Sequence, residues 1–231
     1  MQRNPKKLTT IIYFTSDLHF HHNKIMQYSP AFRNYADSNE MQEALIEQWN
    51  NTVAKDDLVY DLGDFSMTSS LTRLINTAKQ LNGKHILVLG NHDYLIRKNR
   101  DKLLQEFKDD GNKLFEAIED YIFINITSED KEFSLSHYPM FGWERQQYGS
   151  IMLHGHLHDY IPIIKGKILN VGFDLHGKLL SLKEIIKLTN NLPTLPYRDE
   201  NSEIAKTIKA TTDLKERRKM IINELKRINE L

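Results

Sequence analysis

The chain has 231 residues, 40% of them hydrophobic, and its 31 lysines and arginines balance 31 aspartates and glutamates. This size and apolar content predict one sizeable globular domain with room for an appendage. The absence of cysteine excludes disulfides, thiolate zinc sites, iron–sulfur clusters and a cysteine nucleophile. A net charge of zero argues against an extended nucleic-acid footprint. With no apolar run of about 18 residues and no signal-type N-terminus, we expect a soluble, cytoplasmic protein without a membrane partner.

The first half of the chain alternates strand-like and helix-like patterns. Apolar runs rich in β-branched and aromatic residues predict strands at 11–15, 58–60 and 85–89. Asp37 offers a helix cap before apolar residues at helical spacing up to position 53, and similar spacing recurs at 71–81. Successive strand–loop–helix units predict an α/β fold with a largely parallel sheet, whose ligand sites lie at the carboxyl ends of the strands.

The second half is predicted to be richer in strands. After a helix near 101–107, we expect strands at 121–126, 131–136 and 150–154, two more between 161 and 171, and a short helix or last strand at 180–188.

The C-terminal segment differs in kind from the rest. Pro193 and Pro196 break the chain, and residues 199–231 are dense in charge and lack glycine, proline and aromatic residues. Leu214, Ile221 and Ile228 recur every seven residues, which predicts a helix with a narrow apolar stripe. We therefore predict a domain at 1–192 and a helical extension at 193–231. The extension either packs on its own domain as a solvated amphipathic helix or forms a homo-oligomer.

Polar motifs recur where the predicted strands end. They are Asp17-x-His19, Gly63-Asp64, Gly90-Asn91-His92-Asp93, Ser136-His137 and Gly155-His156-x-His158. Each motif alone is explained as an ordinary turn or a solvated loop. Their ordered recurrence is not, and it favours a site built from nitrogen and oxygen donors.

This ordered set resembles the calcineurin-like metallophosphoesterase superfamily, in particular its small bacterial and phage branch, over roughly 11–188. The resemblance implies a sandwich of two mixed β-sheets flanked by helices, and a site for two divalent metal ions. It assigns the first metal to Asp17, His19 and His158, a bridging position to Asp64, and the second metal to Asn91, His137 and His156. Such donors suit Mn²⁺, which we favour, as well as Fe, Zn²⁺, Ni²⁺ and Co²⁺.

The chemistry that follows needs no protein nucleophile. Two cations that clamp a phosphate acidify a bridging water, and the resulting hydroxide attacks phosphorus in line. The resemblance implies that His92 faces the phosphate as stabiliser or general acid, with Asp61 or Asp93 orienting its ring. The alternative is that His92 only supports the ligands.

Substrate contacts are predicted at three further residues, which are His22, Arg33 and Arg145. Next to His22, this chain has His21 where the small branch often has a glycine. His154 is expected to have a buried supporting role, and His85 and His176 to be surface or packing residues.

These features predict a metal-dependent phosphoesterase acting on a small phosphate ester. The run Phe65-Ser66-Met67-Thr68 after Gly63-Asp64 differs from the Val-Asp-Arg-Gly of serine/threonine protein phosphatases and argues against that activity. Our first expectation is a phosphodiesterase of a nucleotide or cyclic nucleotide, with the loop at 138–143 as a stacking face. The alternatives are a phosphomonoesterase of small substrates or RNA ends and, in a different class, a non-catalytic interaction scaffold.

Overall fold

The computed structural model describes residues 10–196 and 202–229. The chain divides into two compact units, one up to Leu195 and one from Pro196. Among the described residues, no helix is both long enough and apolar enough to cross a membrane.

The first sheet of the N-terminal unit has five strands. They are β1 (Ile12–Thr15), β2 (Leu58–Asp61), β3 (Lys84–Val88), β4 (Ala117–Glu119) and β9 (Leu180–Ser181). Their spatial order is β4-β3-β2-β1-β9, with parallel pairing throughout except for the antiparallel pair of β1 with β9. Because β1, β2 and β3 are parallel neighbours, the polar segments that follow them leave the same edge of the sheet.

The second sheet has four strands. They are β5 (Ile122–Ile126), β6 (Lys131–Leu135), β7 (Ile151–His154) and β8 (Ile168–Asn170), in that spatial order. β5 pairs antiparallel with β6, whereas β6, β7 and β8 are parallel. Both sheets are therefore mixed.

The two sheets pack against each other through a shared apolar core. Phe14 of β1 stacks on Tyr60 of β2 at 5.4 Å between ring centroids and lies 5.8 Å from Phe133 of β6. Tyr13, the neighbour of Phe14, joins a different core on the opposite face of the first sheet. The predicted α/β architecture of two mixed sheets flanked by helices is confirmed.

Seven α-helices are described in the N-terminal unit: α1 (Ile25–Tyr28), α2 (Ser38–Thr52), α3 (Leu71–Lys79), α4 (Tyr94–Lys98), α5 (Arg100–Leu103), α6 (Phe173–His176) and α7 (Leu182–Thr189). α2 begins as predicted, because the Asp37 carboxylate accepts hydrogen bonds from the amides of Asn39 and Glu40. Its buried face, with Met41 and Trp49, packs into the core outside the first sheet.

Two sequence predictions fail locally. The helix expected near 101–107 is replaced by α4 and α5, which meet at Asn99, whose side-chain amide donates to the Leu95 carbonyl. Only one of the two strands expected between 161 and 171 forms. Asn170 instead donates to the carbonyls of His158 and Tyr160, and Ile161 and Ile163 project into solvent.

The C-terminal unit contains two described helices, α8 (Glu203–Ala210) and α9 (Leu214–Asn229). The Ser202 side chain caps α8, and the Asp213 carboxylate accepts a hydrogen bond from the Glu216 amide in the first turn of α9. The apolar stripe of α9, made of Leu214, Ile221, Leu225 and Ile228, is exposed.

Candidate metal centre

The loops after β1 and β2 are joined by backbone hydrogen bonds. The Asp17 amide donates to the Gly63 carbonyl at 2.8 Å, and the His19 amide donates to the Asp64 carbonyl at 3.0 Å. This pairing continues the parallel register of the strands into the loops. The Asp17-x-His19 and Gly63-Asp64 motifs are therefore held side by side.

Five of the predicted ligands have backbones in the left-handed region. Their φ angles are 58° for Asp17, 50° for His19, 56° for Asp64, 69° for His156 and 50° for His158. Non-glycine residues rarely adopt this conformation, and where they do so in a cluster the strain is typical of functional sites.

The side chains of these loops form two groups of potential ligands. In each group, one ligand atom per residue lies within 4.8 Å of the others, and the groups are Asp17–His19–His158 and Asp17–Asp64–His137. Asp17 belongs to both.

The first group contains a buried nitrogen without a hydrogen-bond partner. His19 Nε2 is fully buried and lies 3.6 Å from Asp64 Oδ2 and 4.0 Å from Asp17 Oδ1. Burying an unpaired polar atom is costly, and a cation between these carboxylates would satisfy it. The His158 Nδ1 atom is 2.7 Å from Asp174 Oδ2, so its Nε2 is left for a cation.

The second group converges on amide and imidazole donors. His137 Nδ1 donates to the Leu62 carbonyl at 2.8 Å. The other ring nitrogen, Nε2, is therefore unprotonated, and its lone pair is available to a cation. Nε2 lies 3.5 Å from Asp64 Oδ2. Asn91 Oδ1 lies 3.0 Å from His137 Nε2 and 2.9 Å from His156 Nδ1. The two imidazoles, the amide oxygen and the carboxylate could together hold a second cation without sulfur.

The comparisons with known proteins agree with this geometry. The family model for calcineurin-like phosphoesterases matches residues 10–194. The chain belongs to this family. It is thus a metal-dependent phosphoesterase, and the family implies a dinuclear divalent metal site, for which the two groups just described supply candidate ligands.

Relatives of this phosphoesterase occur in phages and archaea. The Gene 66 protein of Mycobacterium phage L5 is 32% identical over 203 residues, which cover 78% of this chain and 94% of that protein. The uncharacterized protein MJ1445 of Methanocaldococcus jannaschii is 32% identical over 187 residues, covering 77% and 90%. A crystal structure of AQ665 from Aquifex aeolicus, a protein of unknown function, matches with a TM-score of 0.59 at 24% identity. It covers 78% of this chain and 100% of AQ665, and supports the fold alone.

Burial sets the protonation states in the phosphoesterase site. It lowers the pKa of His19 well below its usual value and also lowers the pKa of His137, so both imidazoles are neutral, as metal ligands must be. Burial raises the pKa of Asp17 to about 7, and two nearby cations would reverse that shift. At His158 burial acts to lower the pKa, but the hydrogen bond to Asp174 and the negative charges of Asp17 and Asp174 together outweigh it and raise the pKa.

Glycines are required where the loops meet. A Cβ on Gly90 would lie 2.5 Å from the Asp64 amide nitrogen, and a Cβ on Gly155 would lie 2.5 Å from Asp17 Oδ2. Neither distance is compatible with a side chain. The glycines of the Gly-Asn-His-Asp and Gly-His-x-His motifs thus let the backbone approach the two central carboxylates.

His92 lies next to both groups of ligands. Its side chain is 43% exposed, its Nε2 is 3.9 Å from Asp64 Oδ2, and its ring is 5.6 Å from that of His19. The His92 amide donates to Asp64 Oδ1 at 2.8 Å, which also fixes the orientation of this carboxylate.

The two aspartates predicted to orient His92 have other partners. Asp93 accepts hydrogen bonds from the amides of Asp64, Phe65 and Gly90 at 2.8–3.0 Å, so it holds the loops together. Asp61 accepts from the Gly63 amide, and its other oxygen lies 3.4 Å from His85 Nε2 in the core. Both carboxylates are buried and hold loop amides in place, and among the described residues neither has a hydrogen bond to the His92 ring.

The three predicted substrate contacts have different surroundings in the structure. His22 remains beside the ligands, with its Nδ1 3.2 Å from His19 Nδ1. Arg33 is 1% exposed and bound to Asp174, so it cannot reach a substrate. Arg145 pairs with Glu132 at 2.7 Å. It lines a cavity of about 400 Å³, and none of the other residues that line this cavity is a predicted ligand.

The four remaining histidines pack or form hydrogen bonds within the fold, among them His21, whose Nε2 is 2.9 Å from the Thr77 hydroxyl. His154 and His85 are fully buried, and His176 Nε2 is 2.8 Å from the Asn170 carbonyl. Asp174 was missed by sequence reasoning. The signal was present, because Gly172-Phe173-Asp174 follows strand β8 as the other polar motifs follow their strands.

Proposed function

We propose that this chain is a two-metal phosphodiesterase whose substrate is a nucleotide ester or a cyclic nucleotide. The proposed ligands are Asp17, His19 and His158 for one cation, Asp64 as the bridge, and Asn91, His137 and His156 for the other. Mn²⁺ is the cation we favour for these donors. When bound, the metal pair would neutralise phosphate charge and provide the activated water.

His92 is the proposed general acid. Its half-exposed ring borders both ligand groups, so it can approach the leaving oxygen of a bound ester without displacing a ligand. Proton donation from an imidazole at this point would assist departure of the alcohol.

The charge available to the substrate favours a diester. A phosphomonoester carries close to two negative charges at neutral pH, whereas a diester carries one. Arg33 and Arg145, the arginines expected to meet phosphate oxygens, are each paired with a carboxylate instead. A singly charged phosphate needs less compensation beyond that of the metals.

A cavity beside the second ligand group supports the proposal that the substrate contains a nucleobase. It has a volume of about 230 Å³ and is lined by Asn91 and His137 together with the exposed Tyr94 and Tyr138. The Tyr138 ring also lies 4.7 Å from that of His156. Tyrosine rings offer stacking faces that suit any base. An organic group extending from a phosphate at the ligands would thus meet aromatic surface.

The far side of the same cavity is polar. Arg97 and Asp120, both at least half exposed, line it and form an ion pair at 2.7 Å. Such a pair offers both hydrogen-bond donors and acceptors to the edge of a planar base. Trp143, by contrast, is buried with its indole nitrogen bound to the Ser150 carbonyl. The exposed aromatic rings of the loop at 138–143 are Tyr138 and Phe141, and Tyr138 is the one that lines this cavity.

The function is tested with metal-free protein reconstituted with Mn²⁺. We expect faster hydrolysis of bis(p-nitrophenyl) phosphate than of p-nitrophenyl phosphate, and then turnover of cyclic nucleotides and nucleotide diesters. A preference for monoesters would favour the phosphomonoesterase. A folded protein that binds no metal and hydrolyses none of these esters would favour the scaffold.

The nucleobase cavity is tested by removing its aromatic faces. We expect Tyr94→Leu and Tyr138→Leu each to raise KM for a nucleotide diester roughly 5- to 150-fold, since stacking contributes about 1–3 kcal/mol per base. KM for an alkyl phosphodiester should hardly change. Tyr148→Leu is the matched control, because Tyr148 is as exposed as Tyr94 but lines the other cavity. Equal effects on nucleotide and alkyl esters would argue against a base at this position.

A further inference from the structure

Arg33 distributes its guanidinium among three partners beside the first ligand group. Its Nε binds Asp174, its Nη1 donates to the Leu18 carbonyl at 3.0 Å, and its Nη2 donates to the Asp17 carbonyl at 2.6 Å. The face of the guanidinium lies 5.0 Å from the centroid of the Phe173 ring. Such a planar fork can hold several acceptors in fixed directions, which a lysine cannot do.

Asp174 uses its two oxygens for different purposes. One oxygen binds Arg33, and the other lies 2.7 Å from His158 Nδ1, with the carboxylate fully buried. A carboxylate behind a metal-binding imidazole fixes the tautomer and the ring orientation and makes the ligand more basic. The guanidinium in turn fixes the carboxylate.

We infer that Arg33 and Asp174 are positioning residues that set the affinity of the first metal site and not of the second. Arg33 donates hydrogen bonds to the backbone carbonyls of Asp17 and Leu18, and Asp174 contacts His158. One buried ion pair thus supports all three ligands of the first group. The inference rests on the proposed function, because it presumes that the site binds two cations.

The ligands proposed for the second cation alone are held by other contacts than this ion pair. His137 is oriented by the Leu62 carbonyl, and His156 lies against Asn91 Oδ1. Loss of the Arg33–Asp174 pair should therefore weaken metal binding at the first site only. A substitution of Asp64, which is shared, would weaken metal binding at both sites.

The test is a metal titration of the full-length Asp174→Asn variant. Arg33 and His158 bind different oxygens of Asp174, and asparagine replaces one of these oxygens by an NH₂ group, which cannot accept a hydrogen bond, although the side chain keeps its shape. Metal-free protein is titrated with Mn²⁺ by calorimetry, with bound metal counted by mass spectrometry. We expect wild type to bind two ions, and the variant to bind one of them with unchanged affinity and the other roughly 10- to 100-fold more weakly.

A spectroscopic signature separates positioning from general damage. With one equivalent of Mn²⁺ per chain, the variant should give the electron paramagnetic resonance signal of an isolated ion. With excess Mn²⁺, the spin-coupled pair of the wild type should return. His158→Ala sets the scale for loss of the ligand itself.

Controls address folding and charge. Arg100→Met removes an arginine from a more exposed pair with Glu119 at 2.8 Å and should leave both affinities unchanged. Arg33→Lys keeps the charge but loses the fork, and we expect it too to weaken one ion only. Thermal unfolding of each metal-free variant verifies that it is folded.

Each outcome bears on the inference. Equal weakening of both ions, no weakening, or failure of both Asp174→Asn and Arg33→Lys to fold would overturn it. A wild type that binds two ions but hydrolyses no ester would refute the proposed function and leave the inference standing. A wild type that binds no ion would refute both.

Discussion

The two halves of the metal centre are built by different means. The first is supported by side chains from distant segments, because Arg33 and Asp174, 141 residues apart, fix its ligands. The second is supported by backbone, since the Leu62 carbonyl orients His137 and Gly90 allows Asp64 to approach. A side-chain substitution can therefore weaken the first half selectively, whereas the second half is vulnerable where the loops touch.

Substitution of His92 is expected to have the largest effect on activity. It tests the catalytic step without removing a ligand from either half of the centre. We expect His92→Ala to lower kcat roughly 10²- to 10⁴-fold, the usual contribution of a general acid, while both ions stay bound. The proposed ligand set does not include His92, and its half-exposed ring leaves no buried cavity when removed. The measurement is steady-state hydrolysis of bis(p-nitrophenyl) phosphate at full Mn²⁺ loading.

Two results would refine this prediction. Partial recovery of kcat on addition of free imidazole would support proton transfer at this position. Unchanged turnover at two ions per chain would remove His92 from the mechanism and leave it as a support for Asp64, to which its amide donates.

Gly90→Ala should break the backbone-supported half. An added Cβ would lie 2.5 Å from the Asp64 amide nitrogen and 2.9 Å from Cγ of its carboxyl group. We expect the free energy of unfolding to fall by about 1–3 kcal/mol, as for other overpacked sites. Because Asp64 is the proposed bridge, both ions should bind more weakly, in contrast to Asp174→Asn.

Gly111→Ala is the matched control for that substitution. Gly111 has a φ of +90°, and no atom lies within 4 Å of an added Cβ. An alanine there introduces backbone strain without a steric clash. We expect a loss of about 1 kcal/mol in stability and no change in metal affinity. If Gly90→Ala bound both ions as tightly as Gly111→Ala, the close approach at Gly90 would not support the centre.

Sequence patterns predicted the strand-end motifs because they encode local chemistry. Asp37 with Glu40 marks the start of α2, and parallel neighbours bring Asp17 and Asp64 together, so the ligand cluster follows from topology. Neither argument needs knowledge of side-chain directions. The family resemblance then distributed the ligands between two metals.

What the sequence could not provide was the identity of long-range partners. An arginine near predicted ligands fits a phosphate contact as well as a buried ion pair, and only the fold brings Arg33 to Asp174. The same holds for Asp93, whose position beside His92 in the sequence concealed its three bonds to loop amides. The left-handed backbone of the ligands was equally hard to predict, since Asp and His adopt it more often than most residues but still do so rarely.

The smallest effect is expected from removing the C-terminal unit. The family match ends at residue 194 and both halves of the centre lie before it, so a chain ending at Leu195 should bind two ions and keep kcat/KM within about twofold. The exposed Leu225 and Ile228 of α9 favour self-association, so we expect light scattering to give an oligomer for the full chain and a monomer after truncation. Equal oligomeric states would reject assembly through α9, and loss of one metal ion on truncation would mean that the supports of the first half extend beyond Arg33 and Asp174.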